Sequence, residues 1–485
     1  MNLRRSGLGL ACLVASAIAG CSGDKGDTGA SGPTGPEGPA GEAGAPGTPG
    51  EPGANGEGGT PGTTPDGGTP ATGDPAAAFA TATKIKHVVV VFGENISFDH
   101  YFATYPKASN LAGETPFAGA TTTPKANNLS TPLDTTAAFV AVTGVDLLGA
   151  NPNFTAAGNG AGKANPFRLA PLQAATSDQG HSYMPEQQAS DDGKMDLFPE
   201  FTGSAGPPPV GPDAPPASAT KGAVMAYFDG NTVSALWNFA QNYAMNDNSW
   251  TTQFGPSTPG AINLISGQTN GFTQTSKDPS MMSTSHVTPD GNGGYTMIGD
   301  TDPLGDVCSS AADQNLMAGK NVGDLLNAKG ITWGWFQGGF DLTVTNANGT
   351  TGCARETPQT VPNGQSVSTD YIPHHQPFQY YPSTANPTHA RPSSVAAIGH
   401  SVEADGTTAE PANHQYDSHD FFDALKAGNF PAVSYLKAPG FQDGHAGYSN
   451  PVDEQNFIVQ VVQAVQASGD WATTAIVINY DDSDG

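Results

Sequence analysis

A chain of 485 residues with a net charge of −27 turns a strongly anionic surface to solvent, which argues against nucleic acid and anionic bilayers as electrostatic partners. It leaves phosphate esters open as substrates, because a bound cation can supply locally the positive charge that the surface lacks. The length suits two or three domains, or one large α/β domain, and the 62 glycines and 41 prolines are too many for a uniformly compact enzyme.

The excess has a place. Residues 1–20 carry Arg4 and Arg5 ahead of an apolar stretch from Leu8 to Ala19, a pattern that predicts an export signal and is too short for a stable membrane anchor. The segment Ile18-Ala19-Gly20-Cys21 resembles the lipobox of bacterial lipoproteins. That resemblance implies acylation of Cys21, a lipid-tethered protein of the cell envelope, and, from Ser22, outer-membrane sorting. An ordinary signal peptide with an incidental cysteine is the plainer alternative. In residues 21–62 every third position from Gly23 to Gly62 is glycine. Only glycine fits at the axis of three intertwined polyproline-type chains, so the period predicts a collagen-like stalk and, if it assembles, a homotrimer. A disordered spacer is the competing expectation. Residues 63–80 have the composition of a linker.

The compact domain is expected over 81–485. Val88-Val89-Val90-Val91-Phe92 is a β-branched run without alternation, as in a strand buried on both faces, and Thr474–Tyr480 is a second one. The apolar residues between Asp453 and Ser468 fall at helical spacing. Helix followed by buried strand predicts an α/β fold with a parallel-rich sheet flanked by helices. Long Gly/Pro/Ser/Thr-rich stretches, notably 103–170 and 200–220, read as surface insertions.

Both strands end in polar, acid-containing pairs: Glu94-Asn95 and Asp481-Asp482. Ligands of parallel sheets bind beyond the carboxyl ends of the strands, so the two pairs can converge on one divalent metal ion bound by hard oxygens. Ser257, in Phe254-Gly255-Pro256-Ser257-Thr258-Pro259-Gly260, has the sequence context of a helix N-cap. The same position suits a nucleophile facing a phosphate at a helix N-terminus. His181, His374, His375 and His445 lie in polar loops where an imidazole can contact phosphate or protonate a leaving group; His87 and His389 have no such context. Cys308 and Cys353 are expected as one disulfide, with two buried thiols as the alternative.

The segments IKHVVVVFGENISFDHYF, FGPSTPGAINLISGQT, HHQPFQYY and DGHAGYSNPVDEQ, with TTAIVINYDDSDG, resemble in order those of the bacterial phosphoesterase family of secreted acid phosphatases and phospholipases C, within the alkaline-phosphatase superfamily. The resemblance implies a phosphate-ester substrate and a metal held by Glu94, Asn95, Asp481 and Asp482. It further implies that Ser257 forms a phosphoseryl intermediate, that His181, His375 and His445 contact the phosphoryl group, and that His374 and Asp196 support them. An acid-phosphatase-type phosphomonoesterase is favoured. A phospholipase C is the alternative within the class, and a collagen-stalked scaffold or adhesin the alternative outside it. Gly260 stands where many members carry asparagine, and the family motif is expected to run on past Gly485 toward an aromatic-Asp-His sequence.

Overall fold

A computed structural model describes residues 74–133, 135–136, 140, 146–206, 216–359 and 367–481. The expected signal peptide, Cys21, the Gly-X-Y run, most of the linker and Asp482 lie outside them. Five strands make the central sheet: β1 (His87–Gly93), β2 (Trp333–Gln337), β3 (Gln415–Asp417), β4 (Val433–Lys437) and β5 (Thr474–Tyr480). Their order is β3-β2-β4-β1-β5 and every pairing is parallel, Val88 registering with Val433 and His87 with Thr474. All five carboxyl ends therefore share one edge.

Strand β1 is apolar throughout because both its faces are covered. Val89 and Val91 point to one side, where they share a core with Leu236 and Trp237 of α2 (Ser234–Asn242; α1 is Phe98–Phe102). Phe457, Ile458, Val461, Val462 and Val465 of a long carboxyl-terminal helix join the same core. Phe92 points to the other side, toward Ala261, Ile262 and Ile265 of α3 (Ser257–Ser266), with Trp333, Trp335 and Tyr435 alongside. Fully burying each such side chain is worth roughly 1.5–3 kcal/mol. The remaining helices on the first face are α4 (Ser418–Ala427) and the long one, α5 (Pro451–Ala467). Helix α5 starts where the side chain of Asn450 accepts hydrogen bonds from the amides of Val452 and Asp453, with Pro451 in the first turn.

Strand β5 departs from expectation. It was to be buried on both faces, yet it forms the edge of the sheet, its residues are half-buried and Val477 is 47 % exposed. Among the described residues it has a strand neighbour on one side only. The 103–170 insertion is anchored rather than merely superficial, since Phe117 packs edge-on against Trp237 at 5.1 Å. Cys308 and Cys353 form a disulfide with their Cα atoms 5.2 Å apart.

Candidate active site

Glu94 and Asn95 leave the end of β1 and Asp481 leaves the end of β5, so adjacent parallel strands deliver them to one place. Asn95 takes a left-handed backbone (φ 58°), which asparagine tolerates better than most residues. Its amide donates to Asp481 Oδ1 at 2.9 Å, across 386 positions of sequence. Glu94 and Asn95 are each 1 % exposed. The Glu94 carboxylate is the hub. Its Oε1 meets Lys437 Nζ and lies 3.2 Å from His375 Nδ1, while its Oε2 accepts the hydroxyl of Ser257 at 2.7 Å.

Ser257 does not cap its helix. Pro256, with extended backbone angles, already occupies the N-cap, which makes Ser257 the first helical residue and leaves its side chain without a capping bond. Asp300 takes over that duty, accepting from the amide of Thr258 at 3.0 Å and from its hydroxyl at 2.8 Å. The Ser257 hydroxyl is thereby free to reach Glu94. Gly260 also finds its reason here: a Cβ at this position would collide with the backbone carbonyl of Asp481, so the asparagine expected there has no room.

The histidines gather around Asn95. Its Nδ2 lies 3.3 Å from His181 Nδ1, 3.3 Å from His445 Nε2 and 3.2 Å from Asp178 Oδ1. His374 stacks edge-on against His375 and sits 3.5 Å from Asp302 Oδ1. Asp196 is not brought in; its neighbours are Asp191, Lys194 and Asn159. Burial holds His375 well below the usual imidazole range, reinforced by the charges of His374, Lys437 and other histidines. Burial lowers His445 as well. For His181 and His374 burial pulls down but the carboxylates win, Asp178 and Asp300 raising the first, Asp300 and Asp302 the second.

The acids themselves are crowded. Burial and the Glu94 charge push Asp481 up to about 7 and lift Asp443 well above the carboxylate range. Lys437 is kept protonated despite burial by Glu94, Asp481 and Asp443. Asn95 Oδ1 and Asp481 Oδ2 are buried without a hydrogen-bond partner among the described residues. Two orphan hard oxygens beside a carboxylate cluster short of positive charge fit a divalent cation. Asp178, His181 and His445, whose donor atoms lie within 4.8 Å of one another, form a further candidate ligand group next to it.

The phosphoesterase family model matches residues 85–485. The chain belongs to the phosphoesterase family. No curated protein matches it significantly. As a phosphoesterase it is a metal-dependent hydrolase of phosphate esters, and the Asp–His groups accord with that class. Lys437, Asp443, Asp178 and Asp300 escaped the sequence reading. The signals were a lysine ending the apolar run Val433-Ser434-Tyr435-Leu436, an aspartate two residues before His445, and aspartates three before His181 and just after Gly299.

Proposed function

We propose that this phosphoesterase is a phosphomonoesterase of the acid-phosphatase type in which Ser257 attacks phosphorus. The observation that supports it is the 2.7 Å hydrogen bond from the Ser257 hydroxyl to Glu94, made by a buried serine in the first turn of a ten-residue helix. A divalent cation held by Glu94, Asn95, Asp481 and Asp482 would supply Lewis acidity that lowers the hydroxyl pKa. Glu94 orients the hydroxyl, and the positive end of the α3 dipole favours negative charge on the phosphoryl oxygens. The Oγ–P bond forms as the Ser257 proton passes to Glu94 and the ester P–O bond breaks, and the departing alkoxide takes a proton from His181, whose proton affinity its carboxylate neighbours raise. His375 and His445, neutral through burial, contact the phosphoryl group without competing as acids. Water then attacks phosphorus, giving a proton back to His181, the Oγ–P bond breaks, Glu94 returns the proton to Ser257 and inorganic phosphate leaves. The HHQPFQYY and PSTPG segments support the phosphatase over the phospholipase C alternative.

The test is to mix the protein with a labelled soluble phosphomonoester, quench in acid and map the label. Label on Ser257 is expected; label elsewhere, or none, overturns the assignment. Faster turnover of a phosphocholine diester than of the monoester would move the protein to the phospholipase C branch. We also propose that Cys21 carries a lipid that tethers the enzyme to the cell envelope. Cys21→Ser should then shift the protein from the membrane to the soluble fraction with its activity intact, and unchanged fractionation would remove the anchor.

A further inference from the structure

At the amino-terminal end of β1, about 20 Å along the strand from Glu94 at the usual ~3.3 Å rise per residue, lies a second cluster that plays no part in the chemistry above. His87 is fully buried between two carboxylates, Asp74 and Asp470, which are themselves buried. Its Nδ1 lies 3.0 Å from the carbonyl of Pro431, which can only accept, so Nδ1 carries a proton and Nε2 is the ring atom turned toward the carboxylates. Phe430 stacks flat on the ring at 4.1 Å and fixes its plane. Nε2 is left without a hydrogen-bond partner, although Asp74 Oδ2 is 3.4 Å away. The donor atoms of all three side chains fall within 4.8 Å of one another. A ring nitrogen without a hydrogen-bond partner facing two buried carboxylates calls for something positive between them, a proton or a metal ion.

We propose that Asp74, His87 and Asp470 form a structural site for a divalent cation of the zinc class. An imidazole whose far nitrogen is tied to a backbone carbonyl is the usual state of a metal-ligating histidine, and one nitrogen with two carboxylate oxygens is a donor set zinc accepts, a water completing the tetrahedron. The three ligands come from separate pieces of chain. Asp74 caps the short helix Pro75–Ala78, His87 opens β1, and Asp470 precedes the short turn Trp471–Thr473 between α5 and β5. The ion would therefore fasten the segment that enters the domain to two adjacent strands of its sheet.

The experiment uses the full chain and zinc as the probe. Wild type dialysed against zinc is expected to hold one equivalent more than Asp74→Asn, the active-site ion being common to both, with the isosteric Asp470→Asn as a second variant losing the same equivalent. Zinc should also slow tryptic cleavage after the exposed Lys84 by about tenfold in wild type and not in the variants, following the closed fraction of the staple. Equal zinc content in wild type and both variants, with cleavage at Lys84 insensitive to zinc, would overturn the site and leave a buried imidazolium paired with two carboxylates.

Discussion

Two groups of aspartates and glutamates lie along the same edge of the sheet, and they are built on opposite principles. Beyond β2 and β3, Arg391 makes paired bonds of 2.7 and 2.5 Å to Asp420 and lies 3.2 Å from Asp341. Arg355 lies 3.2 Å from Asp370 and 3.3 Å from Asp417. There Asp417, despite burial, is held down at about 2 by His419 and the Asp341 amide. Beyond β1 and β5, one lysine serves Glu94, Asp481 and Asp443, and Asp481 rises to about 7. Residue type does not separate the two groups. What does is the supply of cations, two arginines and His419 for four carboxylates in the first group against one lysine for three in the second, and a deficit of that kind marks the place where a ligand belongs.

Each group contains a serine on a carboxylate, Ser257 on Glu94 at 2.7 Å and Ser418 on Asp417 at 3.3 Å, which allows the sharpest break. Ser257→Ala should lower kcat by at least ~10³-fold while leaving the fold and metal content intact. Ser418→Ala should leave steady-state kinetics unchanged. Equal effects would dissolve the distinction. The cations make the next pair. Lys437→Met should cost about 3–5 kcal/mol by urea unfolding in chelator, because it strands buried carboxylates, and much of that should return on adding the divalent metal. Arg355→Met should cost a similar amount that no metal restores.

Acid pH acts on both groups through a common background. His100, bonded to the Ala226 carbonyl, and His414, stacked on Trp333, are each lowered by burial to about 4. Both are neutral in the folded protein, so their contribution is complete above pH 6.5 and is lost as pH falls through 6.5 toward 4, where the unfolded chain binds more protons. The expected loss by pH 5 is about 2 kcal/mol for each, measured as the change in urea midpoint from pH 7. Stability that holds level over that range would contradict their buried, neutral state. The smallest effect belongs to Gly260→Ala, which should push the end of β5 aside for roughly 1–3 kcal/mol and raise KM more than it lowers stability.

Local patterns in the sequence reached as far as elements that local chemistry dictates. The valine run became β1, the helical spacing after Asp453 became α5, and Glu94, Asn95 and Asp481 met at two strand ends, because parallel pairing of β1 with β5 brings those ends together. What stayed hidden was set by neighbours distant in the chain. The exposure of Val477 follows from the place of β5 in the sheet order. Lys437 matters only because β4 lies beside β1. The serine's hydrogen bond to Glu94 turned on one position, since Pro256 rather than Ser257 takes the cap.

That β1 pairs on both sides with residues 433–437 and 474–480 has a consequence for how the molecule is made. As the chain emerges from its amino end, His87–Gly93 is among the first apolar segments to appear and among the last to find its partners. For most of synthesis a bare, uncharged, β-branched stretch waits with two open edges, the type of segment that seeds aggregation. The phosphoesterase is thus most vulnerable before it is finished. Delay in supplying β4 and β5, by slow translation or premature termination, should show as insoluble protein rather than as a soluble, inactive enzyme.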